Sequence, residues 1–126
     1  MTHAVTTTER QEKQSEKQEQ AAIVQLIKSV GGQVWILGTR RPASDSHKGT
    51  CQTPGLPDIF AILPGRISVT PNEHAIPLWV EVKARGGRLR VEQEAFRVAC
   101  FRANLPHLLG GVDVVLDWLR RGGWIK

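Results

Sequence analysis

The stretch 79-WVEVKARGGRLRVEQEAF-96 decides the fold, because it opens with the alternation that is typical of a strand. Side chains two residues apart on a strand point to the same face. Val80 and Val82 therefore share one face, and Glu81 and Lys83 share the other. This pattern indicates a strand whose valines pack in a core while a glutamate and a lysine point together to the opposite side.

A glycine turn and a helix follow this strand. Gly86-Gly87 ends the strand pattern, and glycine pairs favour turns. Residues 91–103 then show apolar positions at helical spacing. The face that this helix is predicted to bury consists of Ala95, Val98, Ala99 and the stem of Arg102.

The same two periodicities predict the remaining elements. They are a helix over 9–30 ended by Gly31-Gly32, a short buried strand over 34–37, a strand over 58–63 closed by the Pro64-Gly65 turn, a candidate hairpin partner over 66–69, a short strand over 105–109 and a terminal helix that buries Val112, Val115, Leu116 and Leu119. The segments 38–54 and 70–75 are predicted loops. The order helix, strands, helix, strand, helix predicts an α/β fold with a mixed sheet flanked by helices.

The length and composition indicate one folded domain. A chain of 126 residues, 40% of them hydrophobic, is long enough for a single modest core. Residues 1–14 are polar and are predicted to be a flexible N-terminal lead-in, with the folded domain over 15–126. Cys51 and Cys100 are too few for a disulfide scaffold, and no apolar run reaches membrane length. We therefore expect a cytoplasmic protein with reduced thiols.

The charge balance favours a polyanionic partner. Lysine and arginine number 17 against 12 aspartates and glutamates, a net charge of +5. Cationic side chains that neutralise phosphates release condensed counterions, so nucleic acid is the leading partner class. Many small domains are basic without binding anything specific, and the motifs have to decide between these interpretations.

Two carboxylates and a lysine are candidates for the chemistry. Asp58 begins the strand that follows Gly55-Leu56-Pro57, and adjacent strands would bring it within a few ångströms of Glu81. Such a pair suits Mg²⁺, which polarises a phosphoryl oxygen and lowers the pKa of a bound water. Lys83 would orient that water or offset charge developing on phosphorus. The alternative is an ordinary solvated pair, because Glu-x-Lys on an exposed face is common.

The first predicted helix adds two polar candidates. Glu16 and Gln20 continue the stripe on which Ile23 and Ile27 are expected to be buried. Polar side chains on a core-facing stripe require partners, and a metal site at the edge of the sheet would supply one. The alternative is a helix that has already left the core by residue 20.

Further candidates surround the glycine turn. Gln93 lies in the first turn of the helix after the Glu81 strand, where its amide would reach back to the site or else remain on the surface. The basic positions form a candidate phosphate track, with a solvated turn as the alternative. They are Arg85, Arg88 and Arg90 near the turn and Arg40, Arg41 and Lys48 in the long loop.

Four segments taken together resemble the VRR-NUC family of the PD-(D/E)xK nuclease superfamily. They are 15-SEKQEQAAIVQLI-27, 55-GLPDIFAI-62, 81-EVKARGGRL-89 and 92-EQEAF-96. Each is a weak motif alone, and their order and spacing make the set more specific. The resemblance implies a restriction-endonuclease-like fold and an endonuclease that hydrolyses phosphodiester bonds of DNA with Mg²⁺ or Mn²⁺.

The resemblance also implies roles for individual residues. Asp58, Glu81 and Glu16 match the metal ligands, Lys83 the catalytic lysine and Gln93 the supporting glutamine. Gln20 matches the glutamine of the family's first helix, and Gly55 belongs to the G-x-P-D motif. Glu12 and Glu19 are alternatives to Glu16. The long loop before Gly55 and the polar segment 70–75 depart from the family pattern.

Family members of this size look like homodimers that cut branched DNA such as four-way junctions, in bacterial cells or as phage proteins in the host cytoplasm. Apolar residues near the C-terminus, including Trp118 and Trp124, agree with a dimer. The competing hypothesis is a non-catalytic, basic nucleic-acid-binding module. A third is a protein-interaction subunit with a vestigial site.

Overall fold

A computed structural model describes residues 7–37, 53–65, 75–84 and 87–126. Three helices and four strands follow one another in the predicted order. They are α1 (Thr7–Ser29), β1 (Gln33–Ile36), β2 (Ile59–Leu63), β3 (Ile76–Val82), α2 (Val91–Arg102), β4 (His107–Gly110) and α3 (Val112–Gly122). The expected hairpin partner over 66–69, the segments 1–6 and 38–52, and Cys51 lie outside the described residues.

The four strands form one mixed sheet, as predicted. Their order is β1-β2-β3-β4, with the first three antiparallel and β4 parallel to β3. Two parallel neighbours need a crossover connection, and α2 supplies it. Residues 79–96 thus contribute part of a central strand and the start of the crossover helix.

One face of the sheet carries the main core. α1 contributes Ile23 and Ile27, and α3 contributes Val115 and Leu119, all fully buried. Burying a side chain of this size contributes roughly 1.5–3 kcal/mol. The sheet side of this core consists of Ile59, Ala61, Leu63, Leu78, Val80 and Val82. The predicted inward direction of Val80 and Val82 is confirmed.

The opposite face of the sheet carries α2, and here the predicted packing is wrong. α2 buries Gln93 and Cys100, with Phe96 half-buried between them. The positions expected to be inside are exposed: Ala95, Val98, Ala99 and Arg102. The stripe that faces the sheet is a partial rotation of the helix away from the predicted one. On it Phe96 contacts Trp79 of β3 and His107 of β4.

The first strand was expected to be buried, and this expectation is also wrong. Trp35 is 44% exposed and Ile36 is 48% exposed. Among the described residues β1 pairs only with β2, so it forms an edge of the sheet. An apolar strand at an edge keeps only one neighbour to cover it.

A glycine turn ends α1, and two stacked tryptophans hold the C-terminus against the core. α1 ends at the predicted glycine pair, where Gly31 has a φ of +88° that favours glycine. At the C-terminus, Trp124 stacks on Trp118 with ring centroids 5.1 Å apart and donates a hydrogen bond to the Pro64 carbonyl oxygen. Both tryptophans pack against the core.

No helix in the described ranges is long and apolar enough to span a bilayer.

Candidate active site

The strand register brings the two predicted carboxylates together. Ile59 pairs with Val80, so Asp58 at the start of β2 lies opposite Glu81 of β3. Both side chains point to the α2 face, because their neighbours Ile59 and Val80 belong to the core on the other side. The two carboxyl groups are close enough for Asp58 to act on the pKa of Glu81.

Asp58 is held by the backbone of the neighbouring strand. Its Oδ2 accepts a hydrogen bond from the Val82 N–H at 2.8 Å. β3 continues beyond the start of β2, so the carboxylate takes the place of a strand carbonyl for that N–H. The Asp58 main-chain oxygen also accepts the Leu37 N–H at 2.8 Å. These bonds fix the acid at the mouth of β2, where the sequence predicted it.

Glu81 is buried, with 2% of its surface exposed. The pKa of Glu81 is raised to about 9. Burial is the largest cause, the hydrogen bonding and negative charge of Asp58 add to it, and the charges of Lys83 and Arg90 oppose it. Its Oε1 has no hydrogen-bond partner among the described residues. A buried acid with an unpartnered oxygen is costly to keep ionised unless a cation compensates it.

Lys83 lies directly beyond this pair at the end of β3. Its N–H donates to the Gly110 carbonyl oxygen of β4 at 3.2 Å, and its side chain is half-buried. It lines a cleft of about 590 Å³ between the middle of α1, the end of β3 and the start of α3. Lys83 therefore borders an open cleft and also lies close to the Asp58–Glu81 pair.

Glu16 reaches this end of β3 from α1. Its Oε1 accepts the Ala84 N–H at 3.2 Å, next to Lys83. The first helix has therefore not left the core at residue 20. Gln20 is half-buried on the same stripe. The side chain of Glu12 lies outside the described residues.

Glu19 has a different task. Its Oε2 accepts the Val112 N–H at 2.6 Å. Val112 is the first residue of α3, and the residue before it, Gly111, has no side chain with which to cap the helix. Glu19 thus caps α3 from another helix. Of the two acids, Glu16 bonds the backbone next to Lys83, and Glu19 lines the same cleft as Lys83.

Gln93 is buried, with 6% of its surface exposed, and is not a surface glutamine. Its Oε1 accepts the Arg90 N–H at 2.8 Å, which caps the first turn of α2. Arg90 is one of the two cations whose charge acts on Glu81. Gln93 therefore touches the backbone that carries Arg90.

Gly55 has a geometric reason to be glycine. Its φ is +92°, and a Cβ atom there would lie 2.6 Å from the Glu92 carbonyl oxygen. The loop before β2 thus packs backbone against backbone on the start of α2. Pro57, two residues later, is fully buried. This contact sets the position of Asp58 relative to α2.

The donor atoms suit a hard divalent cation. Carboxylate oxygens are the ligands that Mg²⁺ and Mn²⁺ prefer, and the Asp58–Glu81 pair supplies them with one buried oxygen still unpartnered. In the described parts of the chain, no three His, Cys, Asp or Glu residues cluster as a ready metal site. Glu16 is accordingly close to the Lys83 segment without joining Asp58 and Glu81 in such a cluster.

Only some of the predicted DNA-contacting residues can be located. Arg88 and Arg90 are exposed between the turn and α2. Arg85 and the loop residues Arg40, Arg41 and Lys48 lie outside the described residues.

A row of aromatic side chains beside the carboxylates was not predicted from the sequence. Trp35, Phe60 and Trp79 lie in register on β1, β2 and β3. Phe60 follows Asp58 by two residues, and Trp79 precedes Glu81 by two residues, so the row shares their face. The signal was present as one aromatic residue on each predicted strand, but only the register aligns them.

Comparison with known proteins identifies the fold. A solved structure described as a VRR_NUC domain matches with a TM-score of 0.58 and 20% sequence identity, covering 86% of this chain and 97% of that one. No protein-family model and no curated protein matches the sequence. At this identity the match concerns the fold, and it confirms the predicted restriction-endonuclease-like α/β architecture with its mixed sheet and flanking helices.

Proposed function

We propose that this chain, which has the fold of a VRR_NUC domain, belongs to the VRR-NUC family and is a divalent-metal-dependent DNA endonuclease. The observation that carries the proposal is the pair of the buried Glu81 and the half-buried Asp58, with Lys83 two residues beyond Glu81 at the end of β3. A purely structural strand would gain more from apolar residues at these positions, because a buried carboxylate that faces a second one is destabilising.

Asp58 and Glu81 would hold Mg²⁺ or Mn²⁺, with Glu16 as a further ligand directly or through water. When bound, the metal supplies Lewis-acid polarisation of the scissile phosphate and a water of lowered pKa. The unpartnered Glu81 Oε1 supports this assignment, because a cation would satisfy it. The Asp58 bond to the Val82 N–H keeps one carboxylate in a fixed orientation.

The other residues act on the substrate and on the geometry. Lys83 orients the attacking water or offsets negative charge that develops on phosphorus. Gln93 supports the site by holding the first turn of α2 and the backbone of Arg90. The phosphates of the bound DNA strand lie along the basic residues, which are Arg88, Arg90, Arg85, Arg40, Arg41 and Lys48.

The finer substrate choice is proposed from the resemblance of the motifs. Branched DNA such as a four-way junction would be cut by a homodimer whose two sites address two strands. The competing function, a non-catalytic basic binding module, would bind DNA without metal. The carboxylate pair argues against it, because negative side chains repel phosphate unless a cation intervenes.

The decisive test compares the wild type with Lys83→Met, which keeps the aliphatic stem and removes the ammonium group. Lys28→Met is the matched control, because Lys28 lies in the exposed last turn of α1, about 18 Å along the helix from Glu16. Labelled four-way junction, duplex and single-stranded DNA are incubated with Mg²⁺, Mn²⁺ or EDTA.

Metal-dependent cutting by the wild type and by Lys28→Met is expected, with a loss of at least 100-fold in Lys83→Met. DNA binding measured in EDTA should be nearly equal for the three proteins. Binding without cutting under every metal would move the function to the binding module. Full turnover by Lys83→Met would remove Lys83 from the mechanism.

A further inference from the structure

A continuous row of aromatic rings crosses the sheet. Trp35 stacks on Phe60 with ring centroids 5.8 Å apart and planes 29° apart, and Phe60 contacts Trp79 at 4.4 Å. The row continues to Phe96 of α2 and to His107 of β4, at 5.0 Å and 6.2 Å between successive centroids. All four strands thus contribute one ring each, with the helix adding a fifth.

The two ends of this row have different surroundings. At the β3–β4 end, Phe96 of α2 packs edge-on against Trp79, so the helix covers the rings there. At the β1 end, Trp35 is 44% exposed, and Phe60 is half-buried beneath it. A large aromatic face is therefore presented at one end of an otherwise packed row.

The exposed end lies beside the proposed site. Phe60 and Asp58 are on the same strand and the same face, one side-chain repeat apart, which is about 7 Å. A nucleotide whose phosphate reached the Asp58–Glu81 pair would have its own base, or that of its neighbour, within reach of Trp35. This spacing allows one DNA strand to contact both the aromatic face and the acidic pair.

Stacking on an aromatic ring suits nucleic-acid bases of any sequence, since every base has a π-face. A base inside a duplex already stacks on its neighbours and is not available to a side chain. Bases at single-stranded ends, gaps and branch points are available. The net charge of +5 favours a polyanion over a neutral apolar partner at this face.

From this geometry we propose that Trp35, supported by Phe60, is a stacking surface for an unpaired base next to the cleaved phosphate. The substrate class is then DNA with unpaired bases, and the inference rests on the proposed nuclease function for the position of the cut. The stacking itself is measurable without cutting. Trp35 positions the substrate and does not take part in the bond cleavage.

The test measures binding by fluorescence anisotropy in EDTA, where no cutting occurs. The probes are a labelled single-stranded oligonucleotide, the same sequence as a duplex, and an oligonucleotide of equal length made of abasic nucleotides. The proteins are the wild type, Trp35→Ala, Trp35→Phe and Ile36→Ala. Ile36 is the matched control, because it is an apolar residue 48% exposed next to Trp35 on β1, with its side chain on the opposite face of the sheet. Circular dichroism establishes that each variant is folded.

Trp35→Ala is expected to weaken single-strand binding about tenfold and to leave duplex and abasic binding within about twofold. Trp35→Phe should retain most of the affinity, and Ile36→Ala should behave as the wild type. An equal loss on all three probes, or no loss on the single strand, would overturn the inference.

A second copy of this chain is the other candidate occupant of the aromatic face. Light scattering on the wild type and Trp35→Ala distinguishes this alternative from base stacking. An oligomer that dissociates on loss of Trp35 would overturn the stacking role. The results of this binding experiment can also be distinguished from those of the cleavage test. Trp35-dependent single-strand binding by a protein that never cuts would retain the stacking surface and reject the nuclease.

Discussion

At the scale of the residue, Glu81 is costly to ionise in the metal-free protein and is at the same time a proposed ligand of the metal. Desolvation and Asp58 both favour its protonated form, while Lys83 and Arg90 favour the carboxylate without overcoming them. At neutral pH the raised pKa therefore keeps Glu81 protonated in the metal-free protein. A bound divalent cation would displace the proton.

The raised pKa predicts a pH-dependent stability. The folded pKa of about 9 lies above the ordinary value of 4.5, so the folded state binds more protons than the unfolded state between these values. The stabilisation by the proton is complete below pH 4.5 and is lost as the pH rises through 9. Glu81→Gln cannot ionise and should make the metal-free protein more stable at pH 8.5, by on the order of a few kcal/mol.

Urea unfolding at pH 5.5, 7.0 and 8.5 in EDTA measures this difference. The wild type should lose stability relative to Glu81→Gln as the pH rises, and Mg²⁺ should restore stability to the wild type alone. A constant difference between the two proteins at all three pH values would show that Glu81 does not carry the raised pKa.

At the scale of the element, α1 places two acids one helical turn apart for two purposes. Glu16 accepts the Ala84 N–H at the end of β3, and Glu19 accepts the Val112 N–H at the start of α3. Residues three apart on a helix are neighbours on its surface. One helix thus contacts both the segment that carries Lys83 and the cap of the last helix.

These contacts predict opposite phenotypes for the two acids. Glu19→Ala removes the cap of α3 and should lower the free energy of unfolding by about 1 kcal/mol, with metal-dependent cutting retained. Glu16→Gln keeps an oxygen for the Ala84 N–H and should leave stability nearly unchanged, while cutting falls at least tenfold. Urea unfolding and junction cleavage on both variants measure the pattern. Reversed phenotypes would make Glu19 the catalytic acid of α1.

At the scale of the whole molecule, the proposed homodimer needs a surface that the fold does not use internally. Trp118 and Trp124 no longer supply it, because they stack on each other and pack against the core. The outer side of α2 is a better candidate, since Val91 and Phe101 are each 83% exposed there. Apolar residues at such exposure are typical of interaction surfaces when they are contiguous.

Multi-angle light scattering at micromolar concentration is expected to give twice the mass of one chain. Phe101→Glu should shift the protein to the monomer, because it places a charge on the exposed side of α2, and Arg120→Glu on α3 is the control. A monomeric mass for the wild type would contradict the dimer and would leave the single Asp58–Glu81 site to act on one strand at a time.

The elements and the acidic pair were predictable because their signals are local. Alternation around Val80 and Val82, glycine pairs and helical periodicity each lie within one segment. Asp58 and Glu81 followed from one further assumption, that their strands are neighbours, which the register confirms. Glu16 followed from the helical spacing that it shares with Ile23 and Ile27, and Gln93 from its place in the first turn of α2. The resemblance to known motifs added their proposed roles.

The remaining features depended on contacts between distant segments. The sequence by itself determined the order of helices and strands, because periodicity and turn residues act over a few positions. Only the tertiary structure decided which side of α2 is buried, that β1 is an exposed edge, that Glu19 caps α3 and that Trp35, Phe60 and Trp79 align beside the acids. The physical reason is that burial and register are properties of two surfaces brought together, and one segment carries information on only one of them.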